Sequence, residues 1–165
     1  MASDETFQIR PATERDLQAI HAMIEALADH LQLAHQLVVD EADLRHALFG
    51  PQPQAEVLIA QAADEYAGFA LFYGNYSTFR GQCGLHLEDL YVAPAWRSLG
   101  LGRVLLAHLA RLTLERGCRR LEWWVQTTDS RAVRFYDMLD AKAKDEWTVY
   151  RLAGEPLQRL AGELD

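Results

Sequence analysis

The stretch Leu87-Glu88-Asp89-Leu90-Tyr91-Val92, Ala93-Pro94-Ala95-Trp96, Arg97-Ser98-Leu99-Gly100-Leu101-Gly102 decides the fold. It reads as a strand, a proline-marked break and a glycine-containing loop, and a helix in apolar periodicity follows from Arg103. Glycines at a loop-to-helix junction let the backbone come close to a ligand, because no Cβ intervenes. The first turn of a helix carries unpaired N–H groups and partial positive charge, which suits a phosphate. Two carboxylates, Glu88 and Asp89, stand just upstream. A phosphate cradle and candidate acid–base groups thus share one short segment.

Two common phosphate loops are excluded. The nucleotide-hydrolase pattern requires Lys followed by Ser or Thr after its second glycine, and the dinucleotide fingerprint requires a third small residue where this chain has Leu105. The hexamer Arg97-x-x-Gly100-x-Gly102 instead resembles the coenzyme A pyrophosphate loop of the GNAT acetyltransferases. The longer run Gly84-Leu85-His86-Leu87-Glu88-Asp89-Leu90-Tyr91-Val92 resembles the diamine and spermidine/spermine acetyltransferase branch. The resemblance extends from Ile9-Arg10-Pro11-Ala12-Thr13 to Trp147-Thr148-Val149-Tyr150-Arg151-Leu152, nearly the whole chain.

The 165 residues suffice for one domain with a substantial core. Sixteen basic residues against 24 acidic ones leave a net charge of −8. Such a surface disfavours nucleic acid and favours cationic small molecules such as amines. Coenzyme A is itself anionic, and Arg97, Arg103, Arg131 and Arg134 are candidates for the local positive charge it needs. Cys83 and Cys118 are too few and too far apart in sequence for a disulfide framework or a Cys-x-x-Cys metal pair. The histidines show no close ligand spacing, so no metal is expected. Met1 to Thr6 is short and polar, unlike a secretory signal, and no apolar run approaches the ~20 residues of a membrane helix. The expectation is a soluble protein of the reducing cytoplasm that touches neither nucleic acid nor membrane.

Along the chain, Phe7 to Arg10 reads as an opening strand stopped by Pro11. Thr13 caps a helix with Leu17, Ile20, Ile24, Leu27 and Leu31 on one face. Asp40 caps a second helix that ends near Gly50-Pro51. Strands follow at Glu56 to Ala60 and Tyr66 to Tyr73, then a polar loop from Asn75 to Gln82, then a strand from Gly84 to Val92. The helix from Arg103 stops at Gly117. Leu121 to Val125 is a strand, Asp129 or Ser130 caps a helix through Tyr136, and Trp147 to Leu152 is a last strand. Pro156 opens a tail helix with Leu157, Leu160, Ala161 and Leu164 turned inward. The expected fold is α/β: one GNAT-like domain over residues 1–165, with a central mixed sheet and helices on both faces.

Periodicity alone leaves Glu88 a solvated strand residue and Tyr136 a core aromatic. An unbroken pleat would point Glu88 and Asp89 to opposite faces, unless a bulge re-aims one of them. The resemblance implies more. Glu88 becomes the base that removes a proton from the attacking amine, and Tyr136 the acid that protonates the departing thiolate. Asp89, with Glu88 and Trp147, lies on the substrate side. Acetyl-CoA is the implied cosubstrate, held by Leu90, Tyr91 and Val92 through their backbone, by Arg97, Ser98, Leu99, Gly100, Leu101, Gly102 and Arg103 at the pyrophosphate, and by Asp129 and Tyr136. The chain departs from the branch at Thr127-Thr128-Asp129, usually Asp-Trp-Asn, and at Asp140, usually Gly. Near Leu31 it lacks the acid that polyamine enzymes carry.

The function implied is acetyl transfer from acetyl-CoA to a primary amine of a small cationic molecule by direct attack. A diamine, a polyamine or a lysine-like amino acid fits that description. The alternatives are a protein lysine or N-terminal acetyltransferase, or a non-catalytic coenzyme A sensor. The resemblance further implies a homodimer.

Overall fold

The computed structural model describes residues 7–164. Met1 to Thr6, the stretch read above as no secretory signal, lies outside the described residues. The chain forms two compact units, one up to Trp124 and one from Val125 onward.

The first unit contains β1 (Gln8–Pro11), α1 (Leu17–His30), α2 (Glu41–Phe49), β2 (Glu56–Ala62), β3 (Glu65–Ser77), β4 (Gln82–Val92), α3 (Leu101–Glu115) and β5 (Leu121–Trp123). The strands form one sheet in sequence order. β1 through β4 run antiparallel, and β5 lies parallel to β4. A parallel neighbour cannot be reached by a hairpin, so α3 serves as the crossover. The mixed sheet is as expected.

Local chemistry sets the helix ends. Asp40 Oδ1 accepts from the Asp43 N–H at 2.8 Å, capping α2. Gly117, at φ +71, supplies the left-handed residue that ends α3. α3 itself begins at Leu101, two residues before the predicted start, because Gly100 takes the cap position. β3 and β4 also run further than expected. Of the predicted polar loop from Asn75 to Gln82, only residues 78–81 lie outside the strands. Asn75 pairs with Gly84, Tyr76 with Cys83 and Ser77 with Gln82, since hairpin pairing satisfies backbone groups whatever the side chains prefer.

Alternation along the strands builds two apolar layers. Val57, Ile59, Phe69, Leu71 and Tyr91 pack with Leu17, Ile20, Met23 and Ile24 of α1 and with Leu44 and Leu48 of α2. The intervening residues Leu58, Ala60, Ala70 and Phe72 are buried on the opposite face, the side of α3, whose Leu101, Leu105 and Leu109 are also buried. Helices thus cover both faces.

Cys83 and Cys118, too few and too far apart in sequence for the expectation of a disulfide framework, form a disulfide with a Cα–Cα distance of 4.7 Å. Their sequence separation of 35 misleads because α3 returns the chain to the start of β4, where the Arg119 N–H donates to the Cys83 carbonyl at 3.2 Å.

In the second unit, α4 (Ser130–Asp137) is capped by Asp129, whose Oδ1 accepts from the Ala132 N–H at 2.9 Å. The predicted strand Trp147 to Leu152 does not form. Its alternation is real, but among the described residues of this unit no strand is formed that could pair its backbone. α5 (Glu155–Ala161) begins around Pro156 as expected, yet Leu157, Leu160 and Leu164 are exposed rather than inward.

One polar knot ties β1, the start of α1 and β3 together. Buried Asp16 accepts from Arg10 Nη1 and Nη2, both at 2.7 Å, from the Thr13 N–H at 2.7 Å and from the Tyr66 hydroxyl at 2.8 Å. The Arg10 guanidinium foremost holds the Asp16 carboxyl far below the usual carboxylate range. Breaking a buried pair costs about 3–5 kcal/mol, because the other charge is left without its partner. Asp16→Asn should therefore lower the unfolding free energy at pH 7 by about 3 kcal/mol in urea titrations. A depressed carboxylate contributes stability above its unfolded pKa of about 3.9 and loses it as pH falls toward the folded value. The variant should accordingly lose less stability than wild type between pH 5 and pH 2, a window set on the order of those pKa values. Equal stability of the two proteins at pH 7 would contradict this account of the knot.

Candidate active site

The register of β3 on β4 decides where the carboxylates go. Tyr73 pairs with His86 and Phe72 with Leu87, but Leu71 pairs with Asp89. One step along β3 therefore spans two along β4, and Glu88 is the extra residue of a β-bulge. Tyr73, Leu71 and Phe69 share one sheet face, so their partners His86, Asp89 and Tyr91 share it too. The divergence expected of an unbroken pleat is overruled. Glu88 joins the same face, with Oε2 accepting from the Tyr73 hydroxyl at 3.4 Å and lying 3.6 Å from His86 Nε2.

The two acids differ in environment. Glu88 is exposed, whereas burial, and secondarily the charge of Glu88, pushes the Asp89 carboxyl up to about 6. Tyr73, raised by burial and then by Glu88, keeps its proton and remains a donor. His86 and Tyr73, which touch Glu88, and Trp124, which touches His86, were not among the sequence-predicted site residues. His86 carried a faint signal in its alternation with Leu85 and Leu87. Tyr73 carried none, since only the register brings it there.

β4 pairs with β5 only from Leu85 to Leu87. No β5 residue pairs with Leu90, Tyr91 or Val92, so β5 leaves that stretch of the strand unpaired. One of its groups is engaged: Arg97 Nε donates to the Val92 carbonyl at 2.9 Å, and the Arg97 guanidinium lies 6.0 Å from the centre of the Tyr91 ring. Arg97 thereby staples the loop to the end of β4.

After a turn at Pro94–Trp96, Ser98 (φ +64) and Gly100 (φ +86) both take left-handed backbone. A Cβ at Gly100 would meet nothing within 4 Å, so the space above this turn is open. The Gly100 carbonyl accepts from the Arg103 and Val104 N–H groups at 3.0 and 3.1 Å. The Leu101 and Gly102 N–H groups start the helix and have no intrahelical acceptor. Leu101 is fully buried and anchors the turn, while Leu99 and Arg103 point outward. The geometry fits an anion at a helix start.

Tyr136, Asp129 and Trp147 belong to the second unit. Tyr136 is half-buried on α4, its ring 5.2 Å from that of Phe135, and burial followed by the Asp129 charge raises its hydroxyl pKa. Asp129 acts as the helix cap, and Trp147 is exposed.

The comparisons agree with this architecture. Residues 20–140 match the model of the acetyltransferase (GNAT) family. The chain belongs to the GNAT acetyltransferase family. It is 34% identical to the thialysine N-epsilon-acetyltransferase of Mus musculus, over 94% of this chain and 97% of that one. It is 27% identical to the L-ornithine N5-acetyltransferase of Arabidopsis thaliana, over 93% of this chain and 87% of that one. An integron cassette protein from the mobile metagenome of V. cholerae superimposes with a TM-score of 0.79 at 25% identity, covering 94% of this chain and 98% of that one. As a GNAT enzyme the chain is an N-acetyltransferase, and its family uses acetyl-CoA.

The Asp89 environment makes a direct prediction. Carbon-detected NMR should find its carboxyl titrating near pH 6, and Glu88→Gln should lower that midpoint by removing a neighbouring negative charge. A midpoint near the usual ~4 in both proteins would refute the burial of Asp89 on this face.

Proposed function

We propose that this enzyme transfers an acetyl group from acetyl-CoA to a primary amine of a small cationic substrate, an amino acid with a side-chain amine or a diamine or polyamine, by direct attack. The observation that carries this reading is the bulge at Glu88, which brings two carboxylates to one sheet face, on the strand that leads into the open turn at Gly100. The names of the relatives, which acetylate thialysine and ornithine, support the same class. The net charge of −8 favours approach of a cation.

In this reading the Leu101 and Gly102 N–H groups, with Ser98, Leu99, Gly100 and the Arg97 and Arg103 charges, hold the cofactor's phosphates. Leu90, Tyr91 and Val92 offer main-chain groups to its arm. The cosubstrate, when bound, supplies the acetyl thioester. Asp89 meets the substrate's cationic nitrogen. Glu88 accepts a proton from the ammonium through water, since an alkylammonium with a pKa of about 10.4 is mostly not nucleophilic at neutral pH. Tyr136 gives its proton to the leaving sulfur, and a raised pKa ensures that it carries one. Asp129 caps the helix that presents Tyr136, and Trp147 lines the substrate side.

The proposal extends to a single acetyltransferase domain over residues 1–165, supported by a family match that runs across both units. It includes a homodimer, favoured by the exposed apolar residues Trp124, Trp147, Val149 and Leu152. It also includes a cytoplasmic site of action without nucleic acid or membrane. Among the described residues no helix is long and apolar enough to cross a membrane. In a reducing cytoplasm Cys83 and Cys118 would be held as thiols.

The test is a pH–rate profile of Glu88→Gln against wild type at two salt concentrations. A base role predicts that kcat/KM for the amine falls roughly 10²-fold near pH 7, and that the deficit shrinks as pH approaches the amine's own pKa. A deficit confined to KM, independent of pH and weakened by salt, would leave Glu88 a binding residue.

A further inference from the structure

His86 is a buried titratable group that the mechanism above does not use. It is 5% exposed on β4. Its ring stacks on Tyr73 with centroids 5.0 Å apart and meets Trp124 edge-on at 5.3 Å. The two rings fix the plane of the imidazole and leave Nε2 directed at Glu88 Oε2, 3.6 Å away. Tyr73 joins both parts, stacking on the imidazole and donating to the same Glu88 oxygen at 3.4 Å.

The other polar groups around His86 are already engaged. Glu122 is its register partner on β5, but Glu122 accepts from Asn75 Nδ2 at 2.7 Å and is paired with Arg120 Nε at 3.1 Å. Arg120 Nη2 in turn donates to Asn75 Oδ1 at 2.9 Å. Asp89, on the same face, lies beyond the bulge. Glu88 is thus the one of these carboxylates that presents an oxygen to Nε2, and the same oxygen accepts from the Tyr73 hydroxyl. Packing alone does not ask for an imidazole here, because a phenyl ring would fill the slot between Tyr73 and Trp124 as well.

We propose that His86 is a positioning residue for Glu88, holding its carboxylate and taking from it the proton that Glu88 removes from the amine. The inference rests on the reading of Glu88 as the base. The ammonium N–H bond breaks and its electron pair stays on nitrogen for the attack, while the proton passes to Glu88 Oε2. The new O–H bond then breaks as an N–H bond forms at His86 Nε2, in the tautomer that carries its other proton on Nδ1. Glu88 is restored as a carboxylate, His86 becomes imidazolium, and the proton afterwards leaves to water past the half-exposed Glu88. The 3.6 Å gap closes to transfer distance by a small rotation of the Glu88 side chain, which is 49% exposed.

The test is His86→Phe, alone and combined with Glu88→Gln, with circular dichroism to establish folding and complete pH–rate profiles at saturating acetyl-CoA. The expected result is a loss of roughly tenfold in kcat/KM for the amine near neutral pH, with KM for acetyl-CoA unchanged. The loss should fade at alkaline pH, where the amine arrives deprotonated. In the Glu88→Gln background, His86→Phe should cause no further loss, because the residue acts through Glu88. Wild-type kcat/KM in His86→Phe at every pH overturns the proposal. So does a loss of equal size in both backgrounds, which marks His86 as packing. If Glu88→Gln is itself without effect, the base reading falls first and the role of His86 falls with it. Should His86→Phe not fold, His86→Tyr keeps a stacked ring and carries the same test.

Discussion

The site depends on one extra residue in β4. Without the bulge at Glu88, alternation would carry every second side chain of β4 to the α1 and α2 side, and Glu88 and Asp89 would part. With it, His86, Asp89 and Tyr91 stand on one face and Glu88 leans toward the same side. The polar part of that face and the apolar part under α1 and α2 belong to the same strands. Tyr91 and Leu71 pack in the core, and Asp89, the register partner of Leu71, is pushed up to about 6 by burial and then by the charge of Glu88. A carboxyl kept at the edge of an apolar layer is costly to ionise alone and becomes favourable to ionise once a cation arrives. That is a physical basis for the proposed choice of a charged amine over a neutral one.

The strand that carries the bulge also delivers the chain to the turn at Ser98–Gly100. β5 accompanies β4 for three register pairs, Leu85 to Leu87, and the bulge follows directly. Beyond it the chain passes through Pro94–Trp96 into the left-handed pair Ser98 and Gly100 and so into α3. Arg97 fixes this passage by bonding back to the Val92 carbonyl, so strand end and turn are held together. The Arg10–Asp16–Tyr66 knot fixes the far side of the same layer, tying β1 and the start of α1 to β3. The bulged strand end and the turn that follows it are thus held from two sides.

Features governed by near neighbours were legible in the sequence. Asp40 and Asp129 cap their helices, and Gly117 ends α3, because capping involves residues only a few positions apart. Asp140 stands where the resembled branch usually has glycine and takes φ +58, so the conformational demand of that position persists with a different residue. Features governed by distant partners were not legible. The bulge could be named only as a condition, because its place is set by the register of β3. Cys83 and Cys118 looked remote because nothing local reports that α3 folds back upon β4. Trp147 to Leu152 alternates like a strand, yet alternation creates a strand only where another strand is there to pair with it. Glu88 drew notice through the motif around it, whereas Tyr73 beside it, and Trp124 against His86, became visible only with the fold.

The central claim is that this acidic, bulged face serves a small cationic amine. The most direct test is thiol release from acetyl-CoA across a panel of lysine, thialysine, ornithine, a short diamine, spermidine and a lysine-containing peptide, with product mass confirming the acetylated nitrogen. The account predicts saturable turnover with at least one of the small amines, at a kcat/KM roughly 10²-fold or more above that for the peptide. Preference for the peptide, or no thiol release above background with any amine, would contradict it.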